Sequence, residues 1–206
     1  MRVAQIVRDH SLAGLVMMAA ILVPAVACAQ EQPESDSDLL ARARAIHESV
    51  ITIDTHDDIS TNLATPQSDP GQREGRQVTL PKMREGGLDV AFFIVYVGQT
   101  ERTPENYERA KADAMAKFDA IHRMTDEMYS DRIELAYSAD DVERISAAGK
   151  LVACIGIENG YVIGRDLSLL EQYHQLGGRY ITLTHNGHND IGDSGNPRAS
   201  FGDAEE

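Results

Sequence analysis

Two side chains able to bind a metal ion stand two residues apart, His56 and Asp58 in the segment IDTHDD at 53–58. Residues i and i+2 of an extended backbone point to the same side, so this imidazole and this carboxylate can converge on one ion. Asp54 and Asp57 are then free to support the ligands or to cap a turn. Such a donor pair suits zinc or another divalent metal acting on water. The alternative is an acidic turn after a strand.

Glu158 ends a second apolar segment, the run from 151 to 157, and a turn-forming Asn-Gly pair follows it. A carboxylate in that place is costly to desolvate unless a cation or hydrogen-bond donors compensate it. We therefore predict that Glu158 is a metal ligand. A helix-capping or turn-stabilising Glu is the alternative.

A third apolar segment, within YITLTHNGHND at 180–190, runs into His185 and His188. A histidine after a strand is commonly a hydrogen-bonded surface residue, but polar residues at three successive strand ends favour a functional site. His185 follows the predicted strand directly and is preferred to His188. The other histidines lie in the N-terminal leader or in predicted helices and are interpreted as solvated or packing residues: His10, His47, His122 and His174.

Other catalytic schemes find no support in the sequence. It contains no G-x-S-x-G elbow, no phosphate-binding G-x-x-x-x-G-K-[ST] loop, no H-E-x-x-H helix and no C-x-x-C pair. Cys154 lies inside the apolar run 151–157 and is predicted to be a core residue, because apolar surroundings raise a thiol's pKa and suppress its reactivity.

The segments around these motifs alternate between strand and helix patterns. Apolar and β-branched runs predict strands, and apolar residues at three- and four-residue spacing predict helices, with Asp38 capping the first. The predicted strands cover 50–54, 90–97, 133–136, 151–157 and 180–184, the helices cover 39–48, 104–129, 140–148 and 167–176, and a long loop covers 61–76. This alternation predicts a mostly parallel α/β sheet in one domain.

Residues 1–29 have the pattern of a secretory signal peptide, with two arginines, an apolar run at 12–26 and a small-residue cleavage site. A polar tether at 30–38 follows. We predict an exported protein, periplasmic or secreted. A membrane anchor is the alternative, although the apolar run is short for a bilayer, and a weak lipoprotein box would instead attach the chain to a membrane through lipidated Cys28.

The formal net charge of −14 excludes most anionic partners. Nucleic acids and polyphosphates need clustered Lys and Arg, which this chain lacks. An acidic, solvated surface is the simplest interpretation.

Four segments, in this order, resemble the membrane (renal-type) dipeptidases, peptidase family M19. They are IDTHDDIS at 53–60, QVTLPKMREGGLDVAFFIVYV at 77–97, IGIENG at 155–160 and GGRYITLTHNGHND at 177–190. The resemblance implies an α/β fold, the (β/α)8 TIM barrel of the metal-dependent hydrolases. Residues 39–206 would form the N-terminal portion of that barrel.

The same resemblance implies a metallodipeptidase with two zinc (Zn) ions in a complete site. His56 and Asp58 would bind one ion, Glu158 would bridge the two, and a hydroxide between the ions would attack the scissile carbonyl. His185 would be a catalytic residue that contacts the substrate and stabilises the tetrahedral intermediate. The expected partners are a dipeptide, including one with a C-terminal D-residue, and a second copy of the chain in a homodimer. Some members of the family also open β-lactam rings.

The family's two further zinc histidines, its substrate-binding arginine and its acid/base aspartate lie on later strands that this sequence does not reach, so we expect an incomplete form. Two other interpretations stay open. One is an amidohydrolase acting on a cyclic amide or lactone, which the segments at 155–160 and 177–190 disfavour. The other is a non-catalytic exported barrel that binds peptides or cell-wall fragments.

Overall fold

The structure, a computed structural model, describes residues 34–196 as a parallel sheet whose strands are connected by helices. The strands are β1 (Ile53–Asp58), β2 (Val90–Tyr96), β3 (Ile133–Leu135), β4 (Leu151–Glu158) and β5 (Gly178–Ile181). The α-helices are α1 (Asp36–Glu48), α2 (Leu80–Gly86), α3 (Pro104–His122), α4 (Ala139–Ala147) and α5 (Ser168–Gln175). A π-helix (Arg123–Met128) continues α3, and a 3-10 helix (Gly160–Ile163) follows β4.

The sheet has the order β1-β2-β4-β3, and β5 also pairs with β4. Every pairing between these strands is parallel. β3 pairs with the first part of β4, at 151–153, and β5 with the later part, from Ile155 to Ile157, so the two short strands share one edge of β4. The arrangement confirms the predicted parallel α/β sheet and brings the carboxyl ends of the strands to one side.

Successive residues of the central strands alternate between two apolar layers. Ala153, Ile155 and Ile157 of β4 belong to the larger layer, which includes buried side chains of α3 and α5. Val152 and Cys154 belong to a smaller layer on the opposite face of the sheet. Burial on both faces explains why β2 and β4 are continuous apolar runs in the sequence.

Two of the five strands differ from the prediction by more than one residue. β1 covers Ile53–Asp58 instead of 50–54, because Thr52 is held by hydrogen bonds to Gly87 and Asp89 while the polar segment beyond Ile53 pairs with β2. β5 covers Gly178–Ile181 instead of 180–184. The last three residues of β1 and the first two of β5, Gly178 and Arg179, carry no apolar signal, so the sequence pattern misplaced these strand limits.

The helices also differ in detail. α1 begins at Asp36 with Ser35 as its N-cap, whose hydroxyl accepts from the Asp38 backbone N–H, so the predicted cap at Asp38 is wrong and the helix overlaps the predicted tether. The predicted helix 104–129 is α-helical only to His122. A π-helix completes it, with the Tyr129 N–H bonded to the Met124 carbonyl five residues back.

The short helix α2 was not predicted. Its seven residues are too few for a helical period, but it has a Thr79 cap that accepts from the Lys82 N–H, a proline in its first turn and Gly87 in the left-handed conformation after its end. The predicted loop at 61–76 contains neither helix nor strand, in agreement with its composition.

The predicted signal peptide at 1–29, with Cys28, and the last ten residues lie outside the described residues. Between residues 34 and 196, none of the helices combines the length and the apolar character of a membrane span.

The buried position of Cys154 can be tested by labelling its thiol. Its side chain is 5% exposed, and burial raises the pKa of its thiol to about 11. In a Cys28→Ser background we expect a thiol reagent at pH 8 to label the native protein slowly, because only about one thiol in a thousand is ionised. The same protein in guanidinium chloride, the control, should react at once. Rapid stoichiometric labelling without denaturant would contradict the buried position.

Candidate metal centre

The predicted site residues lie at the carboxyl ends of neighbouring strands. Tyr96 at the end of β2 is in register with Glu158 at the end of β4, and Asp58 at the end of β1 is in register with Ile94. The pairing of β1 with β2 shifts between Asp54 and Asp57, where β1 has one extra residue. Such a bulge redirects side chains, and here it lies beside His56.

Three side chains direct one ligand atom each toward a common space. The His56 Nε2 atom lies 3.5 Å from Asp58 Oδ1 and 3.2 Å from Glu158 Oε2. All three ligand atoms lie within 4.8 Å of one another. The Glu158 side chain is 16% exposed and that of Asp58 71%, so Glu158 forms the floor of the site and Asp58 its solvent-facing side.

His185 joins this group through the second oxygen of Glu158, with Nδ1 3.0 Å from Oε1. The side-chain amide nitrogen of Asn186 lies 2.8 Å from the His185 Nε2 atom. Because an amide NH₂ group only donates, Nε2 is the acceptor and Nδ1 carries the hydrogen that faces Glu158. The ring also meets Tyr96 edge to face, with 5.2 Å between ring centroids. His188 lies apart, bonded to Asp193 and to the Ser194 N–H.

Tyr180 crosses the site-bearing face of the sheet. Its ring lies against Gly156, where a Cβ atom would come within 2.1 Å of the ring, and its hydroxyl donates to the Thr55 carbonyl at 2.9 Å. A residue of β5 thus reaches β1, which requires a strongly curved sheet with the site on its concave face. Glycine at 156 is needed for this close approach.

Lys117 is a cation near the site that the sequence did not reveal. It lies on α3 with its ammonium 5.5 Å from the centroid of the Tyr96 ring. Burial lowers the pKa of Lys117, and the carboxylates of Asp58 and Glu158 act in the opposite direction. Its helical spacing marks it only as a helix residue, so the sequence held no signal for this position.

Asp54 and Asp57 have different environments. Asp54 accepts a hydrogen bond from the His56 N–H at 3.0 Å and so fixes the local turn of the chain. Asp57 is buried, and burial raises its pKa to about 6 against the opposing effect of Arg76. Its Oδ2 atom has no hydrogen-bond partner within residues 34–196.

The donor set at His56, Asp58 and Glu158 fits a divalent metal. One imidazole nitrogen and two carboxylate oxygens are ligands that zinc accepts at a shared site, and three protein ligands leave open positions for water or substrate. Two carboxylates facing one imidazole also leave excess negative charge at the site, which a cation would neutralise. The structure therefore brings together the three residues predicted as ligands and places His185 beside them.

A comparison with protein families matches residues 40–206 to the membrane dipeptidases, peptidase family M19. The match covers most of the chain. This chain belongs to that family. The sequence-based resemblance is thereby confirmed on an independent comparison.

Similar proteins include fungal dipeptidases. Dipeptidase tcpJ of Claviceps purpurea is 35% identical over 112 residues, which are 52% of this chain and 26% of that protein. Dipeptidase aclJ of Aspergillus oryzae is 36% identical over 127 residues, 59% of this chain and 29% of that protein. The chain thus spans less than a third of the length of these two curated relatives.

Solved structures with the same fold include the probable dipeptidase PvdM from Pseudomonas aeruginosa, with a TM-score of 0.75 and 22% identity over 81% of this chain and 42% of that one. The metallopeptidase called dipeptidase AC, of family M19, has a TM-score of 0.57 and 24% identity over 68% of this chain and 44% of that one. These likenesses confirm the α/β fold of the TIM-barrel type, of which this chain supplies a portion.

The geometry predicts that Glu158 is needed to bind metal. Glu158→Gln keeps the shape of the side chain and removes its charge, so we expect zinc affinity to fall at least about 10-fold, the lower bound for residues that merely orient ligands. Titration against a chromophoric chelator measures it. The matched control is His174→Ala on α5, which should bind zinc like the unaltered protein; an unchanged affinity in Glu158→Gln would contradict the assignment.

Proposed function

We propose that this protein is a zinc-dependent metallodipeptidase whose site is built on His56, Asp58, Glu158 and His185. The observation that carries the proposal is the position of the Glu158 carboxylate. One of its oxygens faces the His56 imidazole and the other faces His185. A carboxylate with two oxygens directed to two sides is suited to bridge a pair of metal ions, and two zinc ions are proposed for the complete site.

His56 and Asp58 would hold one of these ions, and Glu158 would contact both. When bound, zinc supplies a Lewis acid and lowers the pKa of water into the neutral range. The carboxylate of Glu158 keeps its place because its strand is buried along its whole length before the final residue. The metal ligands are therefore attached to a rigid element, as a catalytic site requires.

His185 is proposed to bind the substrate and to act in catalysis. In this structure the Nδ1–H of His185 faces Glu158 Oε1. If that oxygen bound the second ion, the Nδ1–H would be released and could donate a hydrogen bond to the scissile carbonyl oxygen as negative charge develops there. Two contacts hold the ring in place, the Asn186 amide on Nε2 and the edge of Tyr96. A donor fixed before the reaction starts is worth more than one that must reorganise.

The proposed substrates are dipeptides. The fungal relatives are named dipeptidases, and a metallopeptidase from Rhodobacter sphaeroides, 23% identical with a TM-score of 0.54, was solved with a phosphinate mimic of the dipeptide L-Ala-D-Ala. We therefore include dipeptides with a C-terminal D-residue among the substrates to be tested.

We also propose that the protein is exported, on the strength of the signal-like residues 1–29. The mass of the mature protein from its native host tests this: loss of about 29 residues is expected, and an intact N-terminus would overturn the proposal. Attachment of a lipid to Cys28 and association of two copies of the chain in a homodimer remain predictions.

Metal removal and substitution of His185 test the function. Prolonged treatment with a chelator should abolish hydrolysis of L-Ala-D-Ala, and zinc should restore it.

His185→Ala should lower kcat/KM about 100-fold to 1,000-fold, the range for loss of one oxyanion donor, with the zinc content unchanged. His188→Ala is the control and should stay close to the unaltered enzyme. Zinc binding without any turnover would favour the non-catalytic, peptide-binding alternative.

A further inference from the structure

Three amide side chains are buried behind the site, on the loops that follow β2, β4 and β5. They are Gln99, Asn159 and Asn189, which are 4%, 0% and 5% exposed. Buried amides keep their place only when their donors and acceptors are paired. Their partners therefore reveal what the three residues hold together.

Asn159 is the centre of the network. Its amide nitrogen donates to the Val97 carbonyl and to Gln99 Oε1, both at 3.2 Å, and its backbone N–H donates to Thr182 Oγ1 at 2.9 Å. Its side-chain oxygen accepts from the Tyr161 N–H at 3.2 Å. One residue thus connects the loops that follow β2 and β5 to the end of β4.

Asn189, on the loop that follows β5, completes the hydrogen-bond network. Its amide nitrogen donates to the Leu183 carbonyl at 2.8 Å and to Asn159 Oδ1 at 3.3 Å. Its oxygen accepts from the N–H groups of Ile191 and Gly192. The bond to Leu183 shapes the segment from 183 to 189, and His185 lies within that segment.

Gln99 supplies the remaining connection. Its amide nitrogen donates to the His188 carbonyl at 3.3 Å, while its oxygen accepts from Asn159. The loop after β2 is therefore attached to the loop after β5 both directly and through Asn159. None of these bonds uses the side chains of the proposed metal ligands.

We propose that Gln99, Asn159 and Asn189 are positioning residues that set the distance between Glu158 and His185. Asn159 directly follows Glu158, and Asn189 holds the segment that contains His185. The Asn159–Asn189 hydrogen bond therefore fixes these two segments of the chain relative to each other. This inference rests on the proposed function for its catalytic consequence. The positioning of Glu158 and His185 by these amides is inferred from the hydrogen bonds alone.

The backbone of Asn159 allows a clean variant. Its φ of 80° lies in the region that glycine adopts without strain. Asn159→Gly therefore removes the amide while keeping the backbone conformation. Asn189→Asp is the second variant: it keeps the acceptor for Ile191 and Gly192 and removes the NH₂ donor to Leu183 and Asn159.

The two variants should act differently on the full chain. Asn189→Asp should lower kcat at least about 10-fold through displacement of His185, with zinc affinity unchanged. Asn159→Gly should lower kcat and also weaken zinc binding, because Glu158 is its neighbour. The control is Ile145→Val, a substitution in the smaller apolar layer that lowers the melting temperature without touching these loops.

An NMR measurement of the His185 ring nitrogens supplies a readout independent of activity. Their chemical shifts report the hydrogen bonds to Glu158 and Asn186, and they should move in both amide variants and stay fixed in Ile145→Val. Unchanged shifts and unchanged kcat in folded Asn189→Asp would overturn the positioning role. If the unaltered protein neither binds zinc nor cleaves dipeptides, the proposed function fails, and the ring shifts still decide the positioning.

Discussion

The Glu158 carboxylate is the constraint on which the rest of the site depends. It ends a strand whose seven preceding residues are all buried, and its side chain is 16% exposed. A carboxylate in that environment needs compensating partners, because desolvation of an unpaired charge is expensive. Imidazoles from two other segments of the chain, His56 and His185, meet its two oxygens. The position of this one carboxylate therefore constrains where His56 of β1 and His185 of the loop after β5 can lie.

The parallel sheet makes this meeting geometrically available. In a parallel sheet the carboxyl ends of all strands emerge on one side, so residues far apart in sequence approach there without special loops. The curvature shown by Tyr180, whose hydroxyl reaches the Thr55 carbonyl, brings β5 and β1 across the concave face. In this chain the candidate metal ligands thus stand at the end of a rigid sheet, and the buried amides of Gln99, Asn159 and Asn189 lie on the loops beside them.

Much of this arrangement could be predicted because its causes are local. Continuous apolar runs revealed β2 and β4, and polar residues after apolar runs identified His56, Asp58, Glu158 and His185 as a group. The failures also have a common cause: the end of β1 and the start of β5 lack apolar residues, so backbone pairing there leaves no hydrophobic signal. The short helix α2 is specified by its caps instead of by a period.

By itself, the sequence determined the parallel α/β class, the family and the four residues offered for chemistry, because apolar periodicity and motif order are encoded residue by residue. Only the tertiary structure decided which of these residues contact one another. The sequence contains no sign that Glu158 offers separate oxygens to His56 and His185, that Lys117 lies over Tyr96, or that Asn159 and Asn189 are bonded. These contacts join residues from 21 to more than 100 positions apart, and their distances follow from strand register and sheet curvature, which no local pattern encodes.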